Sequence, residues 1–435
     1  MYSEPRFHAN AEYKKINQIQ FKKTPICKEN IMEFNKKDVI LVPRGDEVYV
    51  YNRKKSVGIV MHKDVLEIFR SLEKPEDIFA VANDYECDDK SFLVNMGNLV
   101  LEKQLFDFSD AESSEHQINT ITYIITDYCN LACKHCAHSA IFQNLNQTKS
   151  APIVADLNIA AALLKLRPRN ICITGGEPLM VSNFEEVARY IRQNFDGNLS
   201  LSTNATLIND ENIDYLCSCF TQFDISIDGI NEEKCAAIRG KGVFQTVINA
   251  IKKLQSKGVK NISLSIALSN DTISDKEPFE EMCRTLSVKP LIRFMNLSGR
   301  AKLNGLTGSD NWLNFERDYS PLPNLCTGGI KQITVNSIGD VFPCNNFLED
   351  EFKIGNVFED GLSTKFSRSN EHVWWRNFSR YIPLYREECS DCDLGLFCSF
   401  CPVLIKTYMD NNSITELSPN CNTKKAKFYG DIFDV

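Results

Sequence analysis

The chain has 435 residues, 43% of them hydrophobic, with a formal net charge of −8 and 17 cysteines. That length allows two or three domains with real cores, and the acidic balance argues against unspecific binding to nucleic acid. The N-terminal MYSEPRFHANAEYKK has no apolar signal core, and no run approaches the ~18 apolar residues of a spanning helix, so a soluble, cytoplasmic protein is expected, away from membranes, with reduced thiols free for metal.

Residues 1 to about 36 are polar and lysine-rich and receive no chemistry. Asp38-Val-Ile-Leu-Val-Pro and Glu47-Val-Tyr-Val-Tyr-Asn, joined by Arg44-Gly-Asp, alternate as a hairpin, with a third short strand at 57–61. Helical spacing follows from Asp64, from Pro75 and from Ser91. Strands followed by short helices outline a winged-helix-like domain within 1–115.

From 116 to 305 strand candidates at 121–126, 170–174, 199–203, 223–227, 261–268 and 290–295 alternate with helical stretches. Six β-α units predict an α/β fold, a partial (β/α)6 TIM-like barrel whose chemistry belongs at the C-terminal ends of the strands. The helix over 243–257, apolar at Val243, Val247, Ile251 and Leu254 and closed by Gly258, is scaffold. Cys172, Cys217, Cys219, Cys235 and Cys283 read as packing thiols.

The first strand stops at Cys129, Cys133 and Cys136, spaced C-x3-C-x2-C. Three thiolates on one loop can hold three irons of a 4Fe-4S cube and leave the fourth open for a ligand; a zinc loop is the alternative. The second strand runs into Gly175-Gly176-Glu177-Pro178, where glycines permit close approach of backbone and a carboxylate can accept from an ammonium group. Ser202 and Asn204 end the third strand, and Ser226 and Asp228 the fourth. Short polar side chains there suit hydroxyl or carboxylate recognition.

These motifs, one strand apart, resemble the radical S-adenosylmethionine (SAM) enzymes. The resemblance implies a cluster on Cys129, Cys133 and Cys136 whose open iron chelates SAM, and cleavage of SAM to a 5′-deoxyadenosyl radical that abstracts hydrogen from unactivated carbon. It implies SAM contacts from Gly175, Gly176, Glu177, Pro178, Ser202, Asn204, Ser226 and Asp228, with Arg239 pairing the SAM carboxylate. Flavodoxin or ferredoxin would supply the electron. The N-terminal order resembles the peptide-recognition domains of enzymes that modify ribosomally made peptides, in which the leader of a precursor peptide adds a strand to the hairpin edge.

Residues 306–435 carry Cys326, Gly339, Cys344, Cys389, Cys392, Cys398, Cys401 and Cys421 in a frame resembling the SPASM extension. The spacing departs from that frame at one point: Cys398 and Cys401 are separated by two residues where three is usual. By position the resemblance places Cys389, Cys392, Cys398 and Cys421 on a distal auxiliary cluster and Cys326, Cys344 and Cys401 on a proximal one, for three 4Fe-4S clusters in all. Residues 320–325 lack the further cysteine of fully ligated relatives, so the proximal cluster is expected to keep an open iron. Zinc sites are the alternative for this cysteine-rich domain.

The function this implies is maturation of a ribosomal precursor peptide through a cysteine thioether crosslink, as in sactipeptide-type enzymes. Carbon-carbon crosslinking of side chains, sulfatase-maturase-like oxidation, and an iron-sulfur redox sensor binding DNA remain as alternatives. No side chain is assigned as general base.

Overall fold

The computed structural model describes residues 39–52, 57–72, 74–85, 87–107, 118–144, 152–295, 297–308, 326–367 and 370–386, then 389, 392, 394, 398, 401–410, 421, 422, 425, 426 and 428–430. The expected N-terminal extension therefore lies outside the described residues. Strands β1 (Val39–Arg44), β2 (Glu47–Asn52) and β3 (Val57–His62) form an antiparallel sheet in that order, as their alternation predicts. Helices α1 (Lys63–Arg70), α2 (Ile78–Ala82) and α3 (Cys87–Glu102) close one face around Val50, Ile59, Phe69, Ile78 and Leu93.

The other face of this sheet is also covered. Val42, Tyr49 and Tyr51 pack on Leu394 and Phe428 of the C-terminal region, with Cys392 at the margin. The Tyr49 and Phe428 rings meet edge to face at 6.5 Å, and Arg44 Nη1 donates to Tyr429 O at 3.1 Å. Gly58 of β3 is obligatory here, because a Cβ would stand 2.1 Å from the Tyr49 hydroxyl.

The central region begins with β4 (Thr120–Ile124), two short strands β5 (Tyr128–Cys129) and β6 (Ile141–Phe142), and α4 (Leu157–Lys165). It continues with β7 (Asn170–Thr174), α5 (Phe184–Gln193), β8 (Asn198–Thr203), α6 (Ile213–Cys219), β9 (Gln222–Ser226), α7 (Glu232–Arg239), α8 (Val243–Ser256), β10 (Ile262–Leu268), α9 (Lys276–Thr285), β11 (Lys289–Phe294) and α10 (Gly299–Leu303). β4 and β7 to β11 pair in parallel in the order of the chain, giving the six β-α units expected.

The sheet does not stop at β4. β12 (Gln332–Val335) pairs with β4 in parallel, and β13 (Asp340–Phe342) and β14 (Gly355–Asn356) follow antiparallel, so nine strands make one mixed sheet with β11 and β14 at its edges. The cysteine-rich region is thus built onto the barrel, a continuity that four-residue strands leave faint in the sequence. Helices α11 (Val373–Ser379) and α12 (Pro402–Asp410) complete it. Among the described residues no helix is long and apolar enough to cross a membrane.

The two faces of the central sheet differ in kind. Ile121, Tyr123, Ile171, Ile173, Leu199, Leu201, Phe223, Ile225, Leu264 and Ile266 are buried in the helix-covered core. The alternate residues, in register across the strands, are Thr122, Cys172, Ser200 and Gln222, then Thr174, Ser202, Asp224 and Ser263, then Ser226 and Ser265. Most of these are half-buried. TIM barrels fill this space with bulky branched side chains. Here small polar groups leave a lumen that water reaches. Cys172, expected in the core, belongs to this polar face because it pairs with Thr122 and Ser200.

Phe428→Ala should cost about 3–5 kcal/mol of local stability by emptying the space between the N-terminal sheet and the C-terminal region. Hydrogen exchange should then rise across β1 to β3 while β7 to β10 keep their protection; unchanged exchange in β1 to β3 would mean that this face is not held by Phe428.

Candidate active site

The loop after β4 brings the three cysteines together at the C-terminal end of the barrel. Cys129 and Cys133 are buried, Cys136 is half-exposed, and the Cys129 thiol feels both of the others. Each sulfur receives an N–H: Leu131 N at 3.4 Å and Asn204 Nδ2 at 3.8 Å reach Cys129, Ala140 N reaches Cys136 at 3.5 Å, and Arg239 Nη1 reaches Cys133 at 3.8 Å. Burial pushes the Cys129 thiol up to about 11 and raises that of Cys133. Bound irons reverse such a preference, because a coordinating thiol is deprotonated outright. Among the described residues no three His, Cys, Asp or Glu side chains converge on a single-ion site. Three thiols on one loop, each with an N–H donor, are compatible with an iron-sulfur cluster.

Gly175 and Gly176 are required by the strand beside them. A Cβ on Gly175 would lie 2.4 Å from Thr126 O, and one on Gly176 2.1 Å from Tyr128 O. Gly176 N and Glu177 N then donate to Thr126 O and Tyr128 O, each at 2.8 Å, and fasten this turn to the strand that carries Cys129. Pro178 opens a short 3-10 turn. Glu177 is fully buried, and its carboxylate accepts from Thr203 Oγ1 and Asn204 N at 2.8 Å and Leu179 N at 3.1 Å. Burial raises its pKa and those donors oppose the rise. The carboxylate therefore ties β7 to β8, a role that the motif alone does not show.

Asn204 donates to Asn130 Oδ1 at 2.9 Å and accepts from Thr206 N at 2.9 Å, joining the β8 end to the cysteine loop. Ser202 and Ser226 line the lumen, and Ser265 Oγ donates to Ser226 Oγ at 3.3 Å. Asp228, with a left-handed φ of 50°, points its carboxylate inward. It accepts from Arg239 Nε at 2.7 Å and also from Nη2, from His135 Nε2 at 2.9 Å and from Ala267 N at 2.6 Å. Burial opposes its ionisation, but Arg239 and His135 hold it well below the usual carboxylate range. Arg239, expected to pair the SAM carboxylate, is thus already committed to Asp228 through two nitrogens and turns the third toward Cys133. The other ring nitrogen of His135, Nδ1, is buried without a partner among the described residues, which leaves one polar atom for a bound molecule.

Sequence reasoning missed Gly299 and Arg300. Arg300 Nε donates to Cys133 O at 2.9 Å, Nη1 to Ala140 O at 2.7 Å, and Arg300 N to Cys136 O at 2.9 Å. Gly299, at φ 54°, lies so close that a Cβ would stand 2.3 Å from Ala137 O. One residue 160 and more positions downstream thereby clamps the cysteine loop.

The C-terminal thiols fall into two sets. Cys344 feels Cys326 and Cys401, and Cys389 feels Cys421 and Cys392. Burial pushes Cys344 up to about 12. Cys401 is exposed. Cys398 and Cys421 each pack against the main core, while Cys219, Cys235 and Cys283 are buried packing thiols as expected.

Arg300→Ala should raise hydrogen exchange over residues 133–141 by about a hundredfold or more, since two charge-assisted bonds at about 1.5–3 kcal/mol each are lost, with Arg300→Lys between it and wild type. Exchange at the wild-type rate would remove the clamp. For Asp228 the folded pKa is depressed, so its stabilisation is complete above the unfolded value of about 4 and fades as pH falls below it. Asp228→Asn, which breaks a buried pair at about 3–5 kcal/mol, should show its full deficit in melting temperature above about pH 5 and a narrowing one below pH 4. A deficit independent of pH would disprove the ionic role.

Residues 123–286 match the Radical SAM superfamily, and residues 326–393 match the SPASM iron-sulfur cluster-binding domain. The mycofactocin maturase MftC of Mycolicibacterium smegmatis is 25% identical over 269 residues, 55% of this chain and 68% of that protein. The antilisterial bacteriocin subtilosin biosynthesis protein AlbA of Bacillus subtilis is 24% identical over 360 residues, 74% of this chain and 78% of that one. The structure of Streptococcus suis SuiB bound to precursor peptide SuiA superposes with a TM-score of 0.49 at 14% identity, over 85% of this chain and 96% of that one. Three loop thiols beside a glycine-rich turn, in a barrel that continues into a second thiol-bearing region, make this chain an iron-sulfur enzyme of the radical SAM superfamily with a SPASM domain.

Proposed function

We propose that this enzyme matures a ribosomally synthesised precursor peptide, docking its leader on the N-terminal sheet and forming a cysteine thioether crosslink in its core. The observation that carries the reading is that two sets of thiols lie at opposite ends of one pair of strands. Cys129 follows the C-terminal end of β4, whereas Cys326 precedes β12, which runs parallel to β4, and Cys344 follows β13, which runs back. The polar lumen borders β4, the first of these strands. A peptide in it could present a carbon to the first set and a thiolate to the second.

Cys129, Cys133 and Cys136 would hold the cluster that binds SAM, with Gly175 to Pro178, Ser202, Asn204, Ser226, Asp228 and Arg239 shaping the SAM pocket around it. With a flavodoxin or ferredoxin as electron donor, such a cluster would supply the one-electron cleavage of SAM and so the abstraction of a peptide hydrogen; closing the C–S bond on a substrate thiolate would release one electron, which the second thiol set's cluster would accept. Cys326, Cys344 and Cys401 offer three thiolates, and the exposed Cys401 keeps that set accessible to a substrate cysteine. Cys389, Cys392, Cys398 and Cys421 would close a distal cluster.

Leader docking is supported by the edges of the small sheet. β1 and β3 have no further strand beside them among the described residues, and an extended peptide can add to such an edge through main-chain hydrogen bonds. The opposite sheet face rests on the segment carrying Cys392, so a docked leader stays close to the thiol-bearing region. The relatives' printed names, a maturase and a bacteriocin biosynthesis protein, agree in kind.

The test combines iron and sulfide content, SAM cleavage and product mass on anaerobically reconstituted protein, with a cysteine-containing precursor peptide as substrate. Three cubes hold about twelve irons. Cys129→Ala with Cys133→Ala and Cys136→Ala should leave about eight irons and no 5′-deoxyadenosine. Cys344→Ala should still cleave SAM but form no thioether. Undiminished cleavage in the triple variant would refute the first assignment, and normal product from Cys344→Ala would remove the second thiol set from the reaction.

A further inference from the structure

The lumen face is polar throughout but carries charge at few points, and two of these stand two strands apart, on β9 and β11. Asp224 of β9 lies on the lumen face in register with Ser202 and Ser263. Its carboxylate accepts from Gln222 Nε2 at 2.8 Å and enters no ion pair among the described residues. Arg293 of β11 lies on the same face, in register with Ala267, while its neighbours Ile292 and Phe294 pack on the core behind. The Arg293 guanidinium is exposed and makes neither a hydrogen bond nor an ion pair among the described residues. Both charges are felt by the Cys172 thiol on β7, so both project over the same lumen.

The level of Arg293 in the barrel is fixed by a second bond. Ala267, its register partner, donates its N–H to Asp228, the carboxylate that also holds Arg239 and His135 beside the cysteine loop. Arg293 therefore stands one strand from the reaction end of the barrel, where the neighbouring arginine is neutralised and it is not.

We infer that Arg293 binds a carboxylate of the substrate peptide, either an acidic side chain or a free C-terminus, and that the Asp224 carboxylate two strands away accepts a peptide N–H. A guanidinium takes a carboxylate through two parallel bonds, so such a pair fixes register as well as charge. This inference rests on the peptide-maturase reading and specifies which residues beside the reacting carbon the lumen selects.

Three pentapeptide probes test it on the reconstituted full chain with SAM present, read by titration calorimetry and saturation-transfer NMR. The first is acetylated and amidated Gly-Ser-Asp-Ser-Gly, the second its Asn counterpart, and the third that Asn peptide with a free C-terminus. Wild type should bind the first or the third at least about tenfold more tightly than the second, and whichever it prefers identifies the source of the carboxylate. Arg293→Gln should bring the preferred probe to the level of the second, and Arg293→Lys should restore part of the difference. Arg293 supports no other described side chain, so the Gln variant should retain its fold, which its melting temperature and iron content check. Equal binding of all three probes by wild type, no binding of any, or a preference that survives Arg293→Gln overturns the inference. An enzyme that modifies its peptide yet shows such equality loses only the Arg293 assignment, whereas loss of modification with the preference intact counts against the maturase reading.

Discussion

One carboxylate joins the parts that must stay in register for this site to exist. Asp228 sits at the end of β9 and receives hydrogen bonds from the cysteine loop through His135, from α7 through Arg239 and from β10 through Ala267 N. Each of those elements would otherwise be placed by packing alone, and a buried charge with four donors tolerates little displacement before one is lost unpaid. The left-handed φ of Asp228 is the strain accepted to aim it. Arg239 continues the chain of contacts to Cys133, so the position of that thiol is coupled to two barrel strands without any covalent link.

The loop itself is held from two directions. Glu177 N and Gly176 N bind the strand that enters it, and Arg300 with Gly299 binds the carbonyls along its far side. A loop that gathers three thiols in so short a span has few hydrogen bonds of its own. The barrel supplies them from the turn after β7 and from the segment after β11. The conformation is therefore set by the closed fold and not by the local sequence.

The sequence made the chemistry-bearing motifs legible because they are local. C-x3-C-x2-C at 129–136, Gly175 to Pro178 and the cysteines from 326 to 421 each announce themselves within a few residues, and the six strands follow from their apolar runs. Arg300 was not legible, since Ser298-Gly-Arg reads as an ordinary turn and its partners lie in a loop far earlier in the chain. The commitment of Arg239 to Asp228 was hidden for the same reason, although both residues were singled out. The polar lumen did leave a signal. Asn170-Ile-Cys-Ile-Thr, Leu199-Ser-Leu-Ser-Thr and Gln222-Phe-Asp-Ile-Ser alternate strictly, whereas parallel strands buried on both faces run continuously apolar. That alternation places Cys172 and Asp224 on a wet face before any coordinates are consulted.

The wet face explains why a nine-strand sheet is needed. A packed barrel can close on six or eight strands because its side chains fill the centre, but one with small polar groups inside gains little from closing and must recover stability on its outer face. Here the outer face is continuous from α9 to the aromatic group of Phe347, Phe352, Phe378 and Trp374, because β12 extends the barrel sheet into the thiol-bearing region. The same extension sets Cys326 and Cys344 at the opposite end of the strands from Cys129. Stability and the spacing between the two thiol sets thus depend on one pairing, β12 against β4, and a change that weakens it would alter both together.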